Sequence, residues 1–221
     1  MVLTIEGSSK LGLDVLLISQ KIRVLTYLFH INMKNISILA SGSGTNAENI
    51  IEYFQSNGQT HVKLLLSNRP DAYALERAKN HGVPAKVFSR EHLYSSEEVL
   101  DVLLEHSTDL VVLAGFLWLI PENILKAFPN RILNIHPALL PSYGGKGMYG
   151  HKVHEAVIAN KEVKSGITIH LVNKEYDSGG VLFQAECPVL IDDTPDSLAT
   201  RIHQLEYKHF PHVIEEYLAK L

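Results

Sequence analysis

Apolar residues fall along this chain in short runs, separated by stretches with helical spacing. From Lys34 onward, seven runs predict strands: ISILA (36–40), VKLLLS (62–67), AKVF (85–88), LVVLAG (110–115), RILNI (131–135), GITIHLV (166–172) and VLFQAECPV (181–189). Helical patterns lie between most of them. AENIIEYFQ follows a glycine-rich turn, and DAYALERAKNHG ends on Gly82, a residue type that commonly stops a helix. The last helix is expected to start in DTPDSLATRI, with Thr194 as N-cap and Pro195 at the first helical position. Alternation of this kind predicts an α/β, Rossmann-like fold: a mostly parallel sheet with helices on both faces. The final two strands, joined by NKEYDSGG, predict an antiparallel edge near the C-terminus. In such sheets the ligand crevice opens at the carboxyl ends of the strands, so polar residues there carry the most information.

Residues 1–32 do not follow this alternation. VLLISQKIRVLTYLFHI is apolar but broken by Gln20, Lys21 and Arg23, whereas a membrane span needs an unbroken run of roughly 20 apolar residues. It also lacks the basic start and small-residue cleavage site of a signal peptide. The expectation is an N-terminal extension outside the fold (1–32), a start at Met33, and one domain over 33–221 in the cytoplasm. The hydrophobic content of 46% fits a globular chain, and the net charge of −4 argues against a general nucleic-acid binder. The single cysteine, Cys187, excludes an internal disulfide framework and a multi-cysteine zinc site. Despite 12 histidines, no His/Asp/Glu spacing resembles a metal site, and no G-x-S-x-G elbow is present.

Three polar clusters fall at strand ends. SGSGTNAEN (41–49) follows a strand and opens a helix, where glycines and unpaired backbone amides favour an anion. Gly42, Gly44 and Ala47 fit the dinucleotide fingerprint, but the next strand ends in SNRP without the expected acid. A monophosphate seat therefore suits the turn better than NAD, while Arg69 leaves NADP open. In LNIHPALLPSYGG (133–145), Asn134 and His136 are two apart and point to one side of a strand that Pro137 ends. Such a pair can stabilise charge developing on a carbonyl oxygen. The third cluster, NKEYDSGG, offers Asp177, a carboxylate that would raise the pKa of a neighbouring imidazole and orient it. On the residues alone a turn aspartate bonding its own backbone is the favoured explanation, since spacing does not place Asp177 beside His136. Glu206 sits beside the core stripe Leu198, Ile202 and Leu205 of the last helix, and on pattern alone reads as a solvated charge.

Taken together, ILASGSGTNAENI, LLLSNRPDAYALERA, DLVVLAGF, ILNIHPALLPSYGGKG, GITIHLVNKEYDSGGVLFQA and LEYKHFPHVI resemble the phosphoribosylglycinamide formyltransferases, folate-dependent enzymes of purine synthesis. The resemblance implies formyl transfer from 10-formyltetrahydrofolate to the amine of 5′-phosphoribosylglycinamide, with small-molecule substrates and no metal, nucleic acid or membrane. It implies Asn134 and imidazolium His136 on the formyl oxygen, and Asp177 paired with His136. Gly44, Thr45 and Asn46 would seat the phosphate, and His203 and Glu206 would contact the rest of the glycinamide substrate. Folate would lie between Leu117, Trp118, Leu119, Ile120 and the loop Asn173, Lys174, Glu175, Tyr176, Asp177, with Arg90 as a further contact. Many family members carry Arg at the position of Trp118, so the folate is expected to be held there by packing. A formyl-folate hydrolase, an NADP reductase and a non-catalytic nucleotide-binding module are the other readings. Oligomeric state does not follow from the sequence.

Overall fold

A computed structural model describes residues 33–58 and 60–221; the expected extension over residues 1–32 lies outside the described residues. The seven expected strands all form: β1 (Lys34–Leu39), β2 (Thr60–Ser67), β3 (Ala85–Val87), β4 (Leu110–Leu113), β5 (Ile132–His136), β6 (Lys164–Leu171) and β7 (Val181–Pro188). They make one sheet in the order β3-β2-β1-β4-β5-β6-β7. β3, β2, β1, β4 and β5 pair in parallel; β6 is antiparallel to β5, and β7 to β6. The α/β expectation with an antiparallel edge is therefore correct. The strand order reverses between β1 and β4, the position at which an open sheet of this type forms a crevice.

The helices are α1 (Thr45–Asn57), α2 (Tyr73–Asn80), α3 (Arg90–Tyr94), α4 (Glu98–Glu105), α5 (Glu122–Ala127), α6 (His151–Ala159) and α7 (Pro195–Leu218). They bury both faces of the sheet, which is why the central strand β4 (LVVL) is apolar at every position rather than alternating. On one face Ile36, Ile38, Val112 and Leu133 pack with Ile50 and Phe54 of α1 and Ile202 and Phe210 of α7. On the other, Leu39, Leu66, Val111 and Ile132 pack with Leu93, Leu103 and Phe128. Cys187 is a buried free thiol, as its apolar neighbours suggest.

The start of α7 matches expectation. Thr194 accepts from Ser197 N in a reciprocal capping box, with Pro195 behind it. A second proline, Pro211, lies inside this helix. Proline has no N–H, so the carbonyl four residues earlier, Tyr207 O, loses its helical partner. Asn49 of α1 fills the gap: its Nδ2 donates to Tyr207 O at 3.0 Å. An amide from one helix thus completes the backbone of another, and α1 and α7 are held in register. Asn49→Ala should lower the unfolding free energy by ~1–3 kcal/mol, the cost of an unpaired buried carbonyl. In a Pro211→Ala background the N–H returns and the same change should cost much less. A double-mutant cycle by urea denaturation measures this, and equal costs in the two backgrounds would contradict it.

Candidate active site

The carboxyl ends of β1, β4 and β5 open into a cavity of about 610 Å³. Its first wall is the turn after β1. Gly44 is the N-cap of α1 in the left-handed conformation (φ 75°, ψ 21°), and no side chain caps the helix, so its first amides remain available to a ligand. A Cβ on Gly44 would lie 2.5 Å from the Ala74 backbone, so the turn needs glycine for both conformation and space. Glu48, an acid in the first helical turn, is paired with Arg77, which offsets its repulsion of an anion. Asn68 of SNRP accepts from Ser41 Oγ at 2.7 Å, and Arg69 is bound through two nitrogens to Asp71. Arg69, the residue that left an NADP reading open, is thus engaged in local structure.

α7 contributes Glu206 to the cavity lining. It is 5% exposed, not a solvated helix charge, and accepts from Asn46 Nδ2 at 2.7 Å. Periodicity misplaces it because it borders the core stripe, and the space above that stripe is the cavity. Burial pushes its carboxyl up to about 7, against the Asn46 hydrogen bond, which pulls it down. Asn46 Oδ1 is buried without a partner among the described residues, an acceptor left for a ligand donor. His203 lines the same wall.

The β5 pair lies at the centre. Asn134 and His136 share a side of the strand, as their spacing predicts, and β6 places His170 opposite Asn134 and Thr168 opposite His136. His170 Nδ1 lies 2.8 Å from the Leu171 carbonyl, which can only accept, so this nitrogen carries the proton. Its Nε2 is then a lone pair and accepts from Asn134 Nδ2 at 3.1 Å. That bond fixes the orientation of the Asn134 amide and leaves its second N–H free. His170 is the functional residue missing from the sequence reading. Its signal was the same as that of Asn134, a polar residue inside an otherwise apolar strand run.

His136 is 3% exposed, and its Nε2–H donates to Tyr143 O at 2.7 Å. Its Nδ1 lies 3.5 Å from Asp177 Oδ1, so the chain folds Asp177 back onto His136 although 41 positions separate them in sequence (177 minus 136). Asp177 sits at φ 53°, held by Gly145 N at 2.9 Å and lying 3.6 Å from His170 Nε2. Burial alone would raise its carboxyl; the His170 and His136 rings beside it and the Gly145 amide together hold it below the usual range. The expected rise in the His136 pKa is not observed. Asp177 does favour the imidazolium, but burial outweighs it, and the net direction is down.

Leu117, Trp118, Leu119, Ile120, Glu175, Tyr176 and Asp177 all line the cavity; Arg90, Asn173 and Lys174 do not. Asn173 Oδ1 instead organises its own loop, accepting from Glu175 N and Ser178 Oγ. Trp118 packs edge-on against Phe88 and Phe116, and the Arg90 guanidinium lies over its ring at 5.5 Å. The tryptophan thus carries a cation on its face. Away from the cavity, ligand atoms of Glu48, Glu52 and His81 lie within 4.8 Å of one another, with Glu48 already paired to Arg77. Among the described residues, no helix is long and apolar enough to cross a membrane.

The geometry has counterparts. A family profile described as formyl transferase matches residues 34–214. The chain is 44% identical over 188 residues to chloroplastic phosphoribosylglycinamide formyltransferase of Arabidopsis thaliana, covering 82% of this chain but 64% of that protein, under two thirds of its length. It is 35% identical to phosphoribosylglycinamide formyltransferase of Haemophilus influenzae, covering 83% of this chain and 86% of the relative. The crystal structure of glycinamide ribonucleotide transformylase 1 from Symbiobacterium toebii superposes with a TM-score of 0.79 at 35% identity, covering 86% of this chain and 89% of that one. With its whole sheet and the residues lining its cavity inside the matched span, the chain belongs to the formyl transferase family.

Proposed function

We propose that this protein transfers the formyl group of 10-formyltetrahydrofolate to the amine of 5′-phosphoribosylglycinamide, a step of purine synthesis, in the cytoplasm. The observation that carries the reading is the joining of the two halves in one cavity. An uncapped glycine turn with Asn46 and Glu206 forms one wall, and Asn134, His136 and Asp177 form the floor. The phosphate takes the amides of Gly44, Thr45 and Asn46, while His203 and Glu206 receive the ribose and amine end. The folate lies along Leu117 to Ile120 and under Glu175 and Tyr176, with its pterin held by packing. Arg90, standing on Trp118 outside the cavity, meets the acidic tail, and Asn173 and Lys174 shape the loop that covers the folate.

The amine nitrogen attacks the formyl carbon, forming the new C–N bond and a tetrahedral centre with a negative oxygen. The free N–H of Asn134 donates to that oxygen, and the oxygen replaces the Tyr143 carbonyl as acceptor for His136 Nε2–H. A proton arriving on His136 Nδ1 faces Asp177, which compensates the burial that otherwise disfavours the imidazolium. The bond to the folate nitrogen then breaks as the amine proton passes to it, releasing tetrahydrofolate. No covalent enzyme intermediate is needed. Glu206, poised near neutrality, can take the proton that an incoming ammonium must lose before its nitrogen attacks.

Two expectations follow from this arrangement. Absorbance assays should show 10-formyltetrahydrofolate consumed only when phosphoribosylglycinamide is present, and Asn134→Ala should lower kcat by ~10²–10³, the usual loss for an oxyanion donor. Turnover indifferent to the glycinamide would instead indicate a formyl-folate hydrolase. The second concerns Glu206. Its folded pKa of about 7 lies above the ordinary 4.5, so the stability it contributes is complete below the ordinary value and is lost as pH rises through about 7. Glu206→Gln should therefore gain on the native protein across that window by up to about 3 kcal/mol. Chemical denaturation at several pH values measures the difference, and a gap independent of pH would contradict a buried, titrating Glu206.

A further inference from the structure

One histidine of the cavity is used by none of these steps. His154 of α6 is 2% exposed and lines the cavity. Its Nδ1 is buried and has no hydrogen-bond partner among the described residues. Val153 beside it and Val157 one turn on belong to the core, so an apolar side chain at 154 would suit the helix without stranding a nitrogen. Burial, followed by the influence of His203, His151 and His136, pushes its imidazole down to about 4, and the ring is neutral near pH 7.

A neutral imidazole carries one proton, on one nitrogen or the other. A proton on Nδ1 would be a buried donor without an acceptor, the rarest kind of unpaired group in folded proteins. The tautomer that avoids it puts the N–H on Nε2. The electrostatic neighbour that affects His154 most is His203, one turn before Glu206 on α7, against which α6 packs. His154 therefore belongs to the part of the cavity lining that holds His203 and His136. The segment leading into α6 is shaped to bring it there. Gly145 and Gly147 have φ 95° and 91°, and Gly150, the N-cap, has φ 53° and ψ −133°, a backbone conformation open essentially to glycine alone.

We propose that His154 is a further binding residue for the sugar of the phosphorylated substrate, its Nε2–H donating to a ribose oxygen. The choice of ligand rests on the formyl-transfer reading above. The sugar is favoured over the phosphate because a neutral donor matches a neutral hydroxyl or ring oxygen, and because the phosphate already has the amides at the start of α1. This wall thereby distinguishes a ribosyl phosphate from a bare phosphate.

The test uses the full chain and two probes, ribose 5-phosphate and inorganic phosphate. In the native protein, the His154 side-chain nitrogen resonance should shift with ribose 5-phosphate and stay in place with phosphate; no shift with ribose 5-phosphate overturns the proposal. In His154→Phe, ribose 5-phosphate should bind about tenfold more weakly, the loss of one neutral hydrogen bond. Phosphate binding should stay within about twofold, and His154→Gln should recover part of the loss. Equal weakening for both probes, or none for either, overturns it. In turnover, His154→Phe should raise KM for phosphoribosylglycinamide and leave both kcat and KM for the folate unchanged; a fall in kcat alone counts against it. Native protein that binds ribose 5-phosphate through His154 yet does not formylate the glycinamide would refute formyl transfer and leave this inference standing.

Discussion

The antiparallel register of β5 and β6 sets the chemistry of this protein. Asn134 stands opposite His170, and His136 opposite Thr168. Because side chains alternate along a strand, a slip of β5 by one residue would turn Asn134 and His136 to the other face and bring Leu133 and Ile135 into the crevice. The register is secured by burial: Leu133 and Ile169 are fully inside the core, and Thr168 Oγ1 ties the strand to the Ala138 carbonyl at 2.6 Å and to Leu140 N at 2.9 Å. With that register in place, the Leu171 carbonyl decides the His170 tautomer, and the tautomer decides how the Asn134 amide points. A backbone acceptor thus controls a side chain two steps away.

The second constraint is the seam between α1 and α7. Asn46 meets Glu206, Asn49 meets the carbonyl freed by Pro211, and Tyr53 donates to Glu215 at 2.5 Å. These contacts recur along one face of α1 and align the glycine turn with the acidic wall. The Asn49 contact also explains why a 24-residue helix tolerates an internal proline. The weight of burial is clearest in the titrating groups: it raises Glu206 and lowers His136 and His154. In each case burial favours the neutral form.

Much of this was legible in the chain. Strand runs bounded by turn residues predicted the seven strands, Thr194 and Pro195 predicted the start of α7, and a spacing of two placed Asn134 and His136 on one side. The rest depended on contacts that spacing does not encode. Asp177 reaches His136 only because the loop after β6 returns across the sheet, helped by Gly179, where a Cβ would collide with Leu171 O. Glu206 borders an apolar stripe, and periodicity does not distinguish a border facing solvent from one facing a cavity. Arg90 belongs beside Trp118 through stacking on its ring, a contact invisible to any pattern of hydrophobic positions. The direction of the His136 shift required weighing burial against one nearby carboxylate, and both quantities are three-dimensional.

The proposed formyl transfer requires a site complementary to the tetrahedral centre rather than to the planar formyl group. The most direct measurement is the affinity of the native protein for a folate analogue with a hydrated aldehyde at the formyl position, compared with an isostere bearing a methyl there. Complementarity of Asn134 and His136 to the tetrahedral oxygen predicts binding tighter by ~10² or more for the hydrate. Equal affinity for the two compounds would contradict the role assigned to both residues.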